Sequence, residues 1–387
     1  MSGYRANWMR PMIAASFGVA AILALACMKT TSRTISELDA RTVPLGNMQD
    51  RRSGHTATLL GDGNVLITGG MVENGRFLAT SEVYDLATKR FSPAGIMASP
   101  RVSHTAILLD SGMVMVAGGL GGRRQEAGRW VGNTLRTTDL YDPATRQFTA
   151  GALMNTPRED HAAVKLSDGR VLIAGGSADG RAMAGAEVYD PVLSAFTPIA
   201  SMHTPRSSPV AIRLLDGCVL VAGGSGPDHS VLKSAELYDP RVGEWQVVGP
   251  MTLPRYKHGA ALMKDGRVLI AGGSDDRDWQ GQYDSTEIYD PARKTFTAER
   301  GMRRKRFKLG RAVISLNDGR VLIAGGASTA EIYDPLARVF TSVEGDLGDS
   351  LYFSTATLLP GGKVLIAGGY KDGGALCSRS AWICLPG

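Results

Sequence analysis

The sequence predicts an all-β chain wound as a seven-bladed propeller, and three observations predict it. An apolar run ending in two glycines recurs about every 50 residues, seven times in all. A Tyr-Asp pair, with an aromatic residue about seven positions later, follows six of the seven runs. A two-residue turn, mostly Asp-Gly, precedes every run. A period in this range belongs to propellers and solenoids, whose units bury their faces against their neighbours.

Each element of the unit has a local cause. The doublets are Gly69-Gly70, Gly118-Gly119, Gly175-Gly176, Gly223-Gly224, Gly272-Gly273, Gly325-Gly326 and Gly368-Gly369. The turns ahead of them are Asp62-Gly63, Ser111-Gly112, Asp168-Gly169, Asp216-Gly217, Asp265-Gly266, Asp318-Gly319 and Gly361-Gly362. Such pairs supply the positive φ that a tight hairpin needs. Strand one leads into the turn, as in His161–Leu166. Strand two leaves it, as in Val171–Ala174, and its unbroken apolar character marks a strand buried on both faces. Strand three carries Tyr84-Asp85, Tyr141-Asp142, Tyr189-Asp190, Tyr238-Asp239, Tyr289-Asp290 or Tyr333-Asp334. Strand four carries Phe91, Phe148, Phe196, Trp245, Phe296 or Phe340. This gives four antiparallel strands per blade. The seventh unit has three strands (354–359, 363–369, 380–384), while a spare one, Arg41–Leu45, stands at the front. The N-terminal strand is therefore expected to close the last blade, because an open ring would leave strand edges unpaired.

Doublet glycine, Tyr-Asp and spaced aromatic together resemble the kelch motif. Seven in-phase copies span residues 40–387. The resemblance implies a kelch-repeat β-propeller over 39–387.

Residues 1–26 read as an export signal: Arg5 and Arg10 precede an uncharged run from Met12 to Ala26. Ala24-Leu25-Ala26-Cys27 resembles the lipobox of bacterial lipoproteins, which implies lipidation at Cys27 and a tether over 27–38; plain secretion and an uncleaved anchor are the alternatives. All three readings put the folded part outside the cytoplasm; the preferred one places it in the cell envelope, with membrane contact only through the N-terminal lipid. Without residues 1–26 the chain carries 41 basic and 37 acidic residues. That excess is too small to argue for nucleic acid. A monomer is expected.

Propeller geometry sorts the loops. The Asp-Gly and Asp-Pro turns share one face, here the hairpin face. The loops between strands two and three and the blade-to-blade connections share the other, the loop face, where length varies from 7 to 22 residues between doublet and Tyr. Variable loops on a rigid scaffold are where binding resides. Seventeen residues before each first glycine stand Arg52, Arg101, Arg158, Arg206, Arg255 and Lys308, with Leu351 in seventh place. The kelch resemblance implies that arginines here line a mouth that captures acidic segments, bidentate on carboxylates; pairing with structural carboxylates is the alternative. Three residues on stand His55, His104, His161, Pro209, His258, Arg311 and Ser354, which read as packing positions, with metal as the weaker alternative. The connection between blades five and six holds Arg300, Arg303, Arg304, Lys305 and Arg306, and the long loop of blade two holds Trp130 beside Arg129. The binding candidates are thus the ring of six together with Arg303, Arg304, Arg306 and Trp130.

Two functional classes follow. One is a non-enzymatic module that binds an acidic protein segment or an anionic glycan of the envelope. The other is a carbohydrate-modifying enzyme resembling galactose oxidase or the sialic acid mutarotases. No catalytic residue, metal ligand or cofactor motif is identified for it. Galactose oxidase's tyrosine–histidine copper ligands have no counterpart in the sequence, and Cys218 falls on the hairpin face.

Overall fold

A computed structural model describes residues 39–73, 76–126, 129–371 and 377–387, the side chains of 123–131 excepted. The signal, Cys27, the tether and the Trp130 side chain lie outside the described residues.

Seven four-stranded antiparallel sheets follow one another. Blade three shows the plan. Ala162–Lys165 pairs with Val171–Ala174, that strand with Ala186–Asp190, and that one with Ala195–Ile199. Strand two is fully buried in every blade, as its unbroken apolar run requires. Tyr84, Tyr141, Tyr189, Tyr238, Tyr289 and Tyr333 pack on the strand-four aromatics at centroid distances of 4.8–5.2 Å. Seven hydrophobic clusters, each shared between adjacent blades, form the core.

The expected closure is present. Strand β1 (Arg41–Asn47) is the outer strand of the last blade, antiparallel to Ser380–Leu385. Met48 then plugs the core between the last and first blades at 1% exposure.

The glycine doublet stitches blade to blade. The first glycine has φ between 62° and 65° in six blades, and a side chain on Gly69 would collide with the carbonyl of Arg101 in the next blade. The N–H of the second glycine donates to that same carbonyl: Gly70 to Arg101 at 2.8 Å, Gly119 to Arg158 at 2.9 Å, Gly369 to Arg52 at 2.9 Å. Only glycine allows both the left-handed backbone and the close approach.

Candidate functional site

The described arginines of the ring are scaffold, which corrects the expectation of an arginine-lined mouth. Arg52, Arg101, Arg158, Arg206 and Arg255 are 0–2% exposed. Each turns inward and donates to the carbonyl of its own blade's first glycine: Arg52 to Gly69 at 2.8 Å, Arg158 to Gly175 at 2.7 Å, Arg255 to Gly272 at 2.8 Å. The seventeen-residue spacing is the reach of that contact. Each also pairs with a buried carboxylate on strand three, two residues before the tyrosine: Glu82, Asp139, Glu187, Glu236 and Glu287, at 2.5–3.0 Å. Burial pulls every one of these guanidinium groups below its usual pKa, and the carboxylate partly restores it.

Blade six breaks the spacing. Arg306, not Lys308, fills the ring: it donates to the Gly325 carbonyl at 2.8 Å and pairs with Glu331 at 2.9 Å. The interval is nineteen residues because blade six carries two extra residues between Arg306 and Arg311, where Lys308 and Gly310 both have a left-handed backbone, at φ 54° and 48°. The residue before the histidine position has φ of 51–60° at Gly54, Ser103, Asp160, Ser208, Lys257 and Phe353, and Lys308 shares it at 54°. Leu309 then packs on Gly272 where a histidine meets the corresponding glycine in other blades. Lys308 is held away from the mouth: its ammonium lies 3.7 Å from the Trp279 ring centroid and 4.8 Å from Phe307, and donates to the Tyr370 hydroxyl at 2.5 Å.

The mouth of the central channel is a cavity of about 430 Å³ walled by the entrances of the seven innermost strands. The left-handed residues Gly54, Ser103, Asp160, Ser208, Lys257, Gly310 and Phe353 form its rim. His55, His104, His161 and His258 line it as the repeat predicts, and they act as inter-blade ties: His55 bonds Thr355 at 3.1 Å, His104 Thr56 at 3.2 Å and His161 Thr105 at 2.8 Å. Val210 occupies the matching threonine position for His258, whose ring nitrogens have no hydrogen-bond partner. Burial keeps the histidines neutral, drawing His55, His161 and His258 down to about 3. Arg311 projects into this lumen, open to its water yet walled on every side by the ring. Burial draws its guanidinium down to about 10, so it remains charged at neutral pH.

The histidines carry a prediction. Their folded pKa lies below the unfolded value, so the unfolded chain takes up protons first as pH falls. Conformational stability is expected to be complete above about pH 6.5, the unperturbed histidine value, and to decline steeply as pH falls towards 3. Urea midpoints measured at half-unit pH steps check it; a midpoint flat between pH 7 and 4.5 would contradict it.

The other basic candidates separate clearly. Arg300, Arg304 and Lys305 are exposed, and no ion-pair partner lies against them among the described residues. Arg303 is exposed too, its side chain donating only to the Phe340 carbonyl at 3.1 Å. On the hairpin face, by contrast, turn aspartates neutralise the cations beside them: Arg170 with Asp168, Arg241 with Asp239, Arg267 with Asp265 and Arg320 with Asp318, at 2.6–2.7 Å. Cys218, Cys377 and Cys384 are buried free thiols, so the last two are not joined.

Comparison with known proteins agrees with this architecture. A model of the kelch motif matches residues 206–252, the stretch from Arg206 through the third and fourth strands of blade four. The chain is a kelch-repeat β-propeller. A solved structure of a fungal alcohol oxidase with catalytic diversity in the AA5 family, in complex with copper, superposes with a TM-score of 0.68. It is 18% identical over 89% of this chain and 75% of that one, a likeness of fold. No curated protein sequence matches the chain. The residues of the kelch channel do not fit a copper centre. Its histidines sit in separate blades, three of them bonded to threonines, and no three His, Cys, Asp or Glu side chains converge among the described residues.

Proposed function

We propose that this kelch propeller is an exported recognition module, lipid-anchored to the envelope through Cys27, that binds an acidic protein segment or anionic glycan on its loop face. The observation that carries the reading is the contrast in charge pairing. Four arginines of the hairpin turns, Arg170, Arg241, Arg267 and Arg320, are neutralised by an aspartate two residues away, whereas Arg300, Arg303, Arg304 and Lys305, clustered on the connection between blades five and six, are exposed with no ion-pair partner among the described residues. An unpaired cluster on a rigid edge concentrates an acidic partner and steers its approach. The ring arginines have no part in this, since their donors serve the scaffold.

A fluorescein-labelled decaglutamate peptide and a hyaluronan fragment serve as probes. The double variant Arg304→Glu/Lys305→Glu is expected to lose at least about tenfold in affinity for whichever binds, given two reversed charges each worth up to about 1 kcal/mol at an exposed site. The wild-type affinity should fall as salt rises. Equal affinities for wild type and variant would overturn the reading. A second reading, acid–base turnover of a sugar, draws on Glu159 beside the rim, whose carboxyl is pushed up to about 7 by burial and by Asp160 and Asp179. Product analysis on any glycan that binds distinguishes it from simple recognition.

A further inference from the structure

We infer that the channel mouth is a second, separate binding site, for a small monocarboxylate whose far end donates hydrogen bonds, with Arg311 holding the carboxylate. It goes beyond the loop-face reading and does not depend on it. Three observations carry it. First, Arg311 stands at the register where the other blades carry His55, His104, His161, Pro209, His258 and Ser354, so blade six alone sets an arginine at this ring of the channel wall. Second, its guanidinium faces the cavity with no carboxylate or carbonyl against it among the described residues. All six ring arginines, by comparison, have both. The charge of Arg311 reaches His55, His104 and His161 across the lumen, which places it over the channel.

Third, the other charges at the mouth fix the ligand's valence and its other end. Lys257 is paired with Asp278 at 2.9 Å, and Lys308 is enclosed by aromatic rings, so Arg311 is the cation at the mouth that is left to a ligand's carboxylate among the described residues. Asp160 faces the same cavity, with the Ser103 and Ser208 hydroxyls already bonded to it. A carboxylate has about four acceptor sites, so two stay open to donors on a ligand. A guanidinium suits bidentate capture of a carboxylate, and the cavity is of small-molecule size, about 430 Å³.

Thermal unfolding of the folded chain with sodium gluconate, sodium acetate or glucose tests it. A ligand that binds only the folded state raises the midpoint by mass action. Gluconate is expected to raise the wild-type midpoint most, acetate less and glucose not at all. Arg311→Met is expected to lose the gluconate response. Asp160→Asn should cut the gluconate response while leaving that to acetate. The inference is overturned if gluconate leaves the wild-type midpoint unmoved, or if Arg311→Met responds equally. Arg304→Glu/Lys305→Glu should keep the gluconate response, so failure at the loop face and failure in the channel are told apart.

Discussion

Removal of residues 39–48 is expected to lower the unfolding midpoint by more than about 10 °C, or to abolish cooperative unfolding. Six ladder pairs to Ser380–Leu385 go with β1, and so does the bond from the Thr42 N–H to the Glu344 carbonyl that ties the last two blades. Met48 leaves a void in the cluster that joins the last blade to the first. Truncating a buried methionine costs about 2–5 kcal/mol on its own, and each kcal/mol is worth about 2–4 °C in a domain of 150–250 residues. The loss also strips the cover from a buried strand, whose edge then invites association between chains. Scanning calorimetry and light scattering on the truncated chain check both effects; an unchanged midpoint would contradict closure by β1.

The second large effect falls on the ring. Glu236→Ala is expected to cost about 3–5 kcal/mol, the range for removing one partner of a buried ion pair. Glu236 accepts from Arg206 at 3.0 Å, from the backbone N–H groups of His203 and Thr204 at 2.7 and 3.0 Å, and bonds the His203 ring at 2.9 Å. The substitution leaves Arg206 charged and fully buried. Replacing both partners, as Arg206→Leu with Glu236→Trp, should recover much of the loss, because the protein does this itself in blade seven. Leu351 stands there at the arginine position and Trp382 at the carboxylate position, packed in one cluster. Glu236 also bears on pH. Burial pushes its carboxyl up, but the bonds from His203 and Arg206 outweigh that and hold it below the usual glutamate value. Its contribution is therefore complete above the unfolded pKa and fades as pH falls through the folded one. Urea unfolding of the single and double variants at pH 7 checks the energetics; a loss under 1 kcal/mol for Glu236→Ala would contradict the structural role of the ring.

Much of the fold was legible because its signals are local and repeated. Asp-Gly turns, unbroken apolar strands and the glycine doublet each follow from backbone conformation and burial, and seven copies in phase leave little else for the chain to be. The site was less legible for a physical reason. Spacing shows where an arginine begins, not which way its guanidinium points. The signal that decides the direction was present but lay elsewhere in the repeat: a carboxylate two residues before each tyrosine, at Glu82, Asp139, Glu187, Glu236, Glu287 and Glu331, in phase with the arginines, with both charges absent from blade seven. Joint loss of two opposite charges marks a pair. Counting a fixed seventeen residues hid the two extra residues of blade six, so Lys308 took the place of Arg306, and Arg311, at the histidine register, read as a packing position although it faces the channel. A residue count cannot register a local bulge; the left-handed φ of Lys308 and the contact of Leu309 with Gly272 do.

Arginine modification by phenylglyoxal, read by peptide mass spectrometry on the folded protein, tests the division of labour most directly. Arg303 and Arg304 are predicted to react readily and Arg311 more slowly through the channel mouth, while Arg52, Arg101, Arg158, Arg206, Arg255 and Arg306 react only once the chain is unfolded. Modification of those six at the rate of Arg304 in the folded protein would show that they face solvent, and the account of a structural ring beside an uncompensated binding sector would fall with it.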